Sequence, residues 1–216
     1  MSIDLGHILG AAQVYRAVAR AALAERLEGQ RIDAHQRAAH GFAWVATSVA
    51  ALEAVQGWVE AGGWVNPVDA LVARLAFAET AAQLTGGLPM GQNELFRPAD
   101  LGLGEAARDL FHAARDLLDS DHADARAELA AALTAGHWPS ETLHDGELDA
   151  IRDQFRKFTE AEILPHAHRW HLANDLIPDA TVAARAELGT FGACIPEALG
   201  GLGLSKLVMC LVTEER

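Results

Sequence analysis

The feature that most constrains the fold is the spacing of apolar residues and of helix-ending glycines along the first ninety residues. Apolar residues recur there at intervals of three and four, as on one face of an α-helix, and Gly29, Gly62-Gly63 and Gly86-Gly87 interrupt the pattern. Asn66-Pro67 is a favoured helix start, because asparagine caps the first turn and proline needs no hydrogen bond there. The sequence predicts three helices, over about residues 4–28, 33–62 and 66–86.

The first of these helices is expected to turn one apolar side toward a core. That side consists of Leu5, Ile8, Ala12, Val14, Val18, Ala22 and Leu23. Residues 86–103 follow the third helix as a long loop, and its apolar residues, Leu88, Met90, Leu95 and Phe96, favour an ordered one. Loops of this length within a domain are usually functional or disordered.

Helical periodicity continues to the end of the chain. Shorter helices are expected over about residues 104–119 and 122–135, and the β-branched, alternating runs that form strands are almost absent. The predicted fold class is therefore all-α. The Gly- and Pro-containing segment 136–146 is the best domain boundary. We expect a helical extension domain over residues 1–140 and a second helical domain over residues 147–216.

The second domain opens on an amphipathic helix. Leu148, Ile151, Phe155 and Phe158 recur at three- and four-residue spacing and mark its apolar face. Pro165 falls within this pattern and should kink or interrupt the helix, because proline removes a backbone donor. A further helix is expected from Ile177-Pro178 to Gly189, and a last one over residues 207–215.

Composition limits the class of protein. The 216 residues are half apolar, so the chain can bury a core, and a net charge of −13 argues against a general nucleic-acid surface. No apolar run approaches a bilayer span: the uncharged stretch 41–52 is too short, and no secretory leader is visible. Cys194 and Cys210 have no metal or redox spacing and lie among apolar neighbours. We interpret them as buried free thiols of a cytoplasmic protein.

Acidic residues concentrate in one span. Residues 100–130 contain eight carboxylates against three arginines. Two readings are open: a solvated helical face, which is the usual meaning of such a span, or a contact surface for a basic partner.

Several other groups of residues are better explained by structure than by chemistry. Gly200-Gly201-Leu202-Gly203 lacks the preceding strand and the following Lys-Ser/Thr that a phosphate-binding loop needs, so we predict a structural turn. His166 and His168 would point about 200° apart on a helix, and no ligand spacing completes a metal site with His171. His40 and Trp44 are expected to pack together structurally.

Arg97 is the candidate binding residue. It lies in the ordered loop 86–103 and allows two interpretations. Its guanidinium could anchor the loop, or it could contact a carboxylate or phosphate of a ligand.

The second domain carries four motifs in a recognisable order. They are Phe155-Arg-Lys-Phe-Thr-Glu-Ala-Glu-Ile-Leu-Pro-His166, Ala186-Glu-Leu-Gly-Thr-Phe-Gly192, Ile195-Pro-Glu-Ala-Leu-Gly-Gly-Leu-Gly-Leu204 and Thr213-Glu-Glu215. In this order and spacing they resemble the N-terminal helical part of the acyl-CoA dehydrogenase family. The extension is also similar to that of one family member, through residues 33–47, 86–92 and 97–100.

The resemblance implies an FAD-dependent homo-oligomer that oxidises an acyl-CoA thioester, here a branched dicarboxylic one. In the family a glutamate removes the α-proton, and a middle β-domain and a C-terminal helical bundle hold the flavin. Residues 1–216 match none of these parts, so the second domain is expected to be incomplete, with no catalytic, flavin-binding or metal-binding residue in this chain. Residues 1–216 alone are expected to be inactive.

A second hypothesis is a free-standing helical interaction module derived from such an enzyme. It conflicts with one expectation, that the last helix leaves an apolar face poorly covered. That face consists of Leu207, Val208, Leu211 and Val212.

Overall fold

The computed structural model describes residues 4–120 and 122–215. Within these residues the fold is all-α, as predicted: α-helices make up nearly all of the regular structure, and the sheet consists of two strands of two residues each. The chain divides into two compact units, Met1–Ser140 and Glu141–Arg216.

The described residues of the first unit contain five α-helices. They are α1 (Leu5–Arg26), α2 (Gln36–Ala61), α3 (Pro67–Gly86), α4 (Gly104–Leu118) and α5 (His122–Thr134). Helix α1 packs against α2 and α4, and α3 packs against α2, α4 and α5. Side-chain caps begin two of them: Asp4 accepts a hydrogen bond from the His7 N–H at 3.0 Å, and Asn66 accepts one from the Val68 N–H at 2.9 Å.

The core of this unit follows a narrower stripe on α1 than the sequence suggested. Tyr15 and Ala19 are buried, whereas Val14 and Val18 are 62% and 40% exposed. The expectation that both valines are buried was wrong, because consecutive residues on a helix are about 100° apart and the core side holds only one of each neighbouring pair. Burial raises the pKa of the Tyr15 hydroxyl, which has no hydrogen-bond partner among the described residues.

Loop 86–103 forms a small hairpin and a turn. Strand β1 (Leu88–Pro89) pairs antiparallel with β2 (Leu95–Phe96), so that Leu88 lies opposite Phe96. A 3₁₀ turn over Pro98–Leu101 follows and leads into α4. Leu88, Met90 and Phe96 are buried in the core of the unit, so the hairpin is packed onto the helices.

One helical segment of the described residues, Ile32–Ala61, is long and apolar enough to cross a membrane by length and composition. It comprises a 3₁₀ turn followed by α2. Val45, Val49 and Leu52 of α2 are buried in the core of the first unit. A core helix of a soluble protein passes the same test, so the segment by itself says little about a membrane.

Residues 141–215, the described part of the second unit, contain four α-helices. They are α6 (Gly146–Phe158), α7 (Leu164–Ala173), α8 (Asp179–Glu187) and α9 (Lys206–Glu214). A π-helical turn over Thr159–Ile163 joins α6 to α7. Pro165 therefore lies in the first turn of α7, where its missing N–H costs nothing. The predicted interruption occurs as this π turn, just before the proline.

The small core of the second unit lies between α6 and α9. Phe155, Val208 and Val212 are buried there, and Ile151 and Leu188 pack against them. The expectation of a poorly covered last helix was wrong for Val208, Leu211 and Val212, which are all buried; only Leu207 is exposed. The exposed apolar residues of this unit lie mainly before α9, and they include Leu172, Leu176, Ile177, Phe191 and Leu199.

Candidate functional site

The 3₁₀ turn that follows Arg97, here called the Arg97 turn, is held by contacts that do not involve the Arg97 side chain. The Arg97 N–H donates to Asp100 Oδ2 at 2.9 Å, and the Asp100 N–H donates to the Arg97 carbonyl at 2.9 Å. From α2, Arg37 Nη2 donates to the Leu95 carbonyl at 2.7 Å and to Asp100 Oδ2 at 3.2 Å. Arg26 of α1 donates to the Asp100 carbonyl at 2.9 Å. The backbone at Arg97 is thus fixed from α1 and α2.

The guanidinium of Arg97 takes no part in this network. Within residues 4–120 and 122–215, no hydrogen bond or ion pair involves it, and the side chain is exposed. The residue that anchors the loop is Arg37, so the interpretation in which the Arg97 guanidinium anchors it was wrong. Arg97 borders a groove of 790 Å³ that Arg108, Phe111 and Leu118 also line.

Sequence reasoning missed Arg37 as the residue that holds the hairpin. Arg37 also pairs with Glu94 at 3.3 Å, and His40 Nδ1 lies 3.7 Å from the same carboxylate. His40 Nε2 accepts a hydrogen bond from Trp44 Nε1 at 2.9 Å. The contacts of Arg37 and His40 with Glu94 join residues more than fifty positions apart, and no spacing rule could have found them; the nearest signal was the run of polar residues at the start of α2.

The acidic span is distributed around the exposed sides of α4 and α5. Glu105, Asp109 and Asp116 are exposed, and Arg115 pairs with Asp119 at 3.5 Å. Asp121 lies outside the described residues. The buried face of α4 consists of Ala107, Leu110, Ala114 and Leu117. The carboxylates therefore cover the solvent side of an amphipathic helix.

In the second unit, the glycine-rich turn satisfies its own backbone. The N–H groups of residues 201–204 donate to the carbonyls of Pro196, Gly192, Ile195 and Ala193, at 3.2, 2.9, 2.8 and 2.8 Å. An added Cβ on Gly201 would lie 2.2 Å from the Ile195 carbonyl oxygen. These N–H groups are thus occupied, and the turn serves to bring the chain back close to itself.

Two further expectations concern cysteine and histidine side chains. The prediction that both thiols are buried was wrong: Cys194 is half-buried and Cys210 is exposed, because apolar neighbours in sequence need not be neighbours across a helix. The His166 ring stacks at a tilt on Trp170. The described part of the chain brings no three His, Cys, Asp or Glu side chains together as metal ligands.

A cluster of ionic contacts around one arginine, Arg156, joins the two ends of the second unit. Arg156 of α6 binds Glu215 through two parallel contacts, Nε–Oε2 at 2.9 Å and Nη2–Oε1 at 2.6 Å, and Glu141 at 2.6 Å. These carboxylates raise the pKa of Arg156. The Thr159 hydroxyl also donates to the Glu215 carbonyl. This cluster gives Glu215, one of the motif residues, a structural role.

An apolar cavity of 370 Å³ also lies in the second unit. Phe155, Leu188, Leu204 and Val208 line it, together with other mainly aliphatic residues. Glu147 and Gln154 are the polar side chains at its edge. Such a lining has no arrangement for acid–base or metal chemistry, and it suits only apolar contacts.

The fold and these motifs define a class of protein. Residues 145–216 match the family described as acyl-CoA dehydrogenase, N-terminal domain. The sequence is 40% identical to (2S)-methylsuccinyl-CoA dehydrogenase of Cereibacter sphaeroides in an alignment that is 214 residues long and covers 91% of this chain. The resemblance to the acyl-CoA dehydrogenases is therefore confirmed, and a match that covers 91% of the chain includes most of the first unit.

A second relative matches more narrowly. The chain is 37% identical over 71 residues, 32% of its length, to glutaryl-CoA dehydrogenase of Desulfococcus multivorans. The chain covers 38% of the first relative and 18% of the second. It thus spans less than half the length of the curated relatives that it matches.

Proposed function

We propose that this chain is the helical N-terminal part of an FAD-dependent acyl-CoA dehydrogenase that oxidises (2S)-methylsuccinyl-CoA to mesaconyl-CoA, a step of the ethylmalonyl-CoA pathway. The observation that carries the proposal is the 40% identity to a (2S)-methylsuccinyl-CoA dehydrogenase across 91% of the chain. The glutaryl-CoA dehydrogenase matches over only 71 residues. The longer match includes most of the first unit, so it supports the more specific substrate.

The flavin and the catalytic base are assigned to no residue of this chain. A bound FAD supplies hydride acceptance in such a reaction. The part that the described residues take is structural: α6 and α9 enclose an apolar core, and the Arg156–Glu215 pair joins their ends. We infer that this unit supports the assembly of the complete enzyme and helps to cover its acyl-CoA site.

Arg97 is the proposed contact for an anionic group of the acyl-CoA ligand. Its backbone is fixed by Asp100, so its guanidinium is presented from a rigid turn without being needed to hold that turn. Guanidinium groups bind carboxylate and phosphate through paired hydrogen bonds. We also propose that the complete protein is a cytoplasmic homo-oligomer.

The decisive experiment uses the complete reading frame that encodes this chain. The purified protein should contain FAD and should oxidise (2S)-methylsuccinyl-CoA faster than glutaryl-CoA, measured by reduction of an electron acceptor. A flavin-containing enzyme that preferred glutaryl-CoA would overturn the substrate but keep the class. A reading frame that encodes no flavin-binding part, and a product without flavin, would overturn the proposal.

Residues 1–216 alone give a complementary test. We expect a colourless, mainly helical protein that oxidises no acyl-CoA, as absorbance and circular dichroism would show. A yellow preparation with stoichiometric flavin would contradict the assignment of the flavin to other residues.

The free-standing interaction module is the second candidate, and one observation favours it. Val208, Leu211 and Val212 of α9 are buried within the second unit, so the objection that this helix is poorly covered no longer stands. A pull-down with the 216-residue chain separates the two candidates. Capture of the remaining domains of the dehydrogenase alone supports the enzyme, and capture of a basic partner through α4 supports the module.

A further inference from the structure

The groove beside Arg97 has a composition that the proposed function does not yet explain. It lies on the first unit, between the end of α3, the Arg97 turn and one side of α4, and its volume is 790 Å³. Arg97, Arg108 and Gly104 border it, and Ala82, Phe111 and Leu118 supply apolar surface. A cavity of this size exceeds what a single small carboxylate needs and falls within the range of nucleotide-sized ligands.

Positive charge collects at this groove although the chain carries a net charge of −13. In the described part of the chain, neither Arg97 nor Arg108 has a hydrogen-bonding or ion-pairing partner for its guanidinium. Glu105, Asp109 and Asp116 lie about 60–100° around α4 from Arg108, on the side away from Phe111, and none of them lines the groove. Asp119, the carboxylate that does border the groove, is paired with Arg115 at 3.5 Å.

The backbone at the start of α4 adds to this charge. Leu103 precedes the helix and provides no side-chain cap for its first N–H groups. Gly104, the first residue of this 15-residue helix, lines the groove. Uncapped N–H groups and the helix dipole favour an anion at such a position. They act here together with the two arginines.

An exposed aromatic ring completes the arrangement. Phe111 lies one turn after Arg108 on the same side of α4, and 43% of its surface is exposed. A phenylalanine ring at a groove that also holds two guanidiniums can stack on a base while the cations hold phosphates. An inorganic anion has no base and would therefore make no stacking contact with this ring.

We propose that this groove binds the phosphorylated adenosine of a nucleotide, with Arg97 and Arg108 on the phosphates and Phe111 against the adenine. The proposal rests on the proposed function for one point: the nucleotide end of coenzyme A is then the natural source of this group. A free adenine nucleotide shares the same chemistry. In either case Arg97 and Arg108 act as one site, and Arg108 is a binding residue that the sequence did not indicate.

Calorimetric titration of the 216-residue chain with coenzyme A, ADP and pantetheine tests the site. We expect saturable binding of coenzyme A and ADP and none of pantetheine, which lacks the nucleotide. Tighter binding of coenzyme A than of ADP would identify a coenzyme A site, and equal binding would identify a site for free nucleotides. Binding of pantetheine as tight as that of coenzyme A, or no nucleotide binding at millimolar concentration, would overturn the proposal.

Variants link any binding to these residues. Arg97→Gln and Arg108→Gln should each weaken ADP binding about tenfold, the value of one charge-assisted hydrogen bond. Arg31→Gln, which changes the net charge equally but lies next to Asp33 and outside the groove, is the matched control and should have no effect. Equal affinities for all three variants would show that binding occurs elsewhere.

Phe111→Leu separates a nucleotide from a bare polyphosphate. It should weaken ADP binding several-fold and leave binding of inorganic tripolyphosphate unchanged, because only the nucleotide has a base to stack. If both ligands were equally affected or equally unaffected, the adenine would not be in contact with Phe111. Failure of these tests would leave the dehydrogenase assignment standing, since oxidation of (2S)-methylsuccinyl-CoA is measured separately on the complete enzyme.

Discussion

The ring of Phe96 lies directly on Gly41, so closely that a Cβ added to this glycine would stand 2.1 Å from Cδ2 of the ring. Phe96 is fully buried and immediately precedes Arg97. The glycine in α2 therefore creates the space into which the hairpin packs. Through this contact, the position of the Arg97 turn depends on a residue that has no side chain.

Gly41→Ala should destabilise the first unit by about 1–3 kcal/mol, because Phe96 must move in a close-packed core. Urea unfolding followed by circular dichroism measures the loss. Gly57→Ala is the matched control in the same helix, since its added Cβ meets nothing within 4 Å. This control should be stabilising by about 0.5–1 kcal/mol, as for a helical glycine in open space. The same change in stability for both variants would contradict the packing described for Phe96.

Arg156→Met should destabilise the second unit by about 2 kcal/mol, because Glu215, whose side chain is only 10% exposed, loses a two-point ionic partner. The stability of Arg156→Lys should lie between that of the wild type and that of Arg156→Met, since lysine keeps the charge and loses the paired geometry. Chemical denaturation of the chain gives both values. Arg169→Met, an exposed arginine of α7, should change stability by less than about 0.5 kcal/mol. A comparable loss at Arg169 would show that the effect is not specific to the Arg156–Glu215 pair.

Asp149 should make the stability of the second unit depend on pH in the acid range. Hydrogen bonds from the Thr142 hydroxyl at 2.6 Å and the Leu143 N–H at 3.1 Å lower the pKa of this carboxyl. A lowered folded-state pKa stabilises the fold above the unfolded value of about 3.9, and this stabilisation is lost as the pH falls through the folded-state value. The stability difference between wild type and Asp149→Asn should therefore be largest near neutral pH and shrink below about pH 4.

Unfolding of both proteins between pH 3 and pH 7 measures this difference. Asp153→Asn, on the exposed side of the same helix, is the control and should follow the wild type throughout. A difference between wild type and Asp149→Asn that stayed constant over this range would exclude the carboxyl as the titrating group.

The exposed apolar residues of the second unit should make the 216-residue chain associate at high concentration. Leu176 is 92% exposed and Leu199 is 77% exposed. The double variant Leu176→Asp/Leu199→Asp should stay monomeric to higher concentration in sedimentation analysis and keep its stability, because neither side chain packs in the core. Val208→Asp, in contrast, should unfold the unit, since Val208 is buried. Unchanged association of the double variant would mean that other residues form the contact.

The sequence predicted best what depends on neighbouring residues. Asn66-Pro67 begins α3 because a cap and a proline act within one turn, and Pro165 marks a break for the same local reason. Burial on α1 was predicted less well, since Val14 and Tyr15 compete for one side and only the packing of α2 and α4 decides between them. The candidate site around Arg97, in contrast, is held by contacts between residues that are far apart in the sequence. Arg37 reaches Glu94 and Leu95, and no local pattern records that contact.

The π turn at Thr159–Ile163 separates two helices that would otherwise be read as one. It places one extra residue in the helical path, so every side chain of α7 is rotated by about 100° from the direction that the α6 pattern would give it. Residues of α7 that would extend the apolar stripe of α6 by spacing alone therefore face another direction. The backbone passes from one helix to the other with no loop between them, so this offset between the two sets of side chains is fixed.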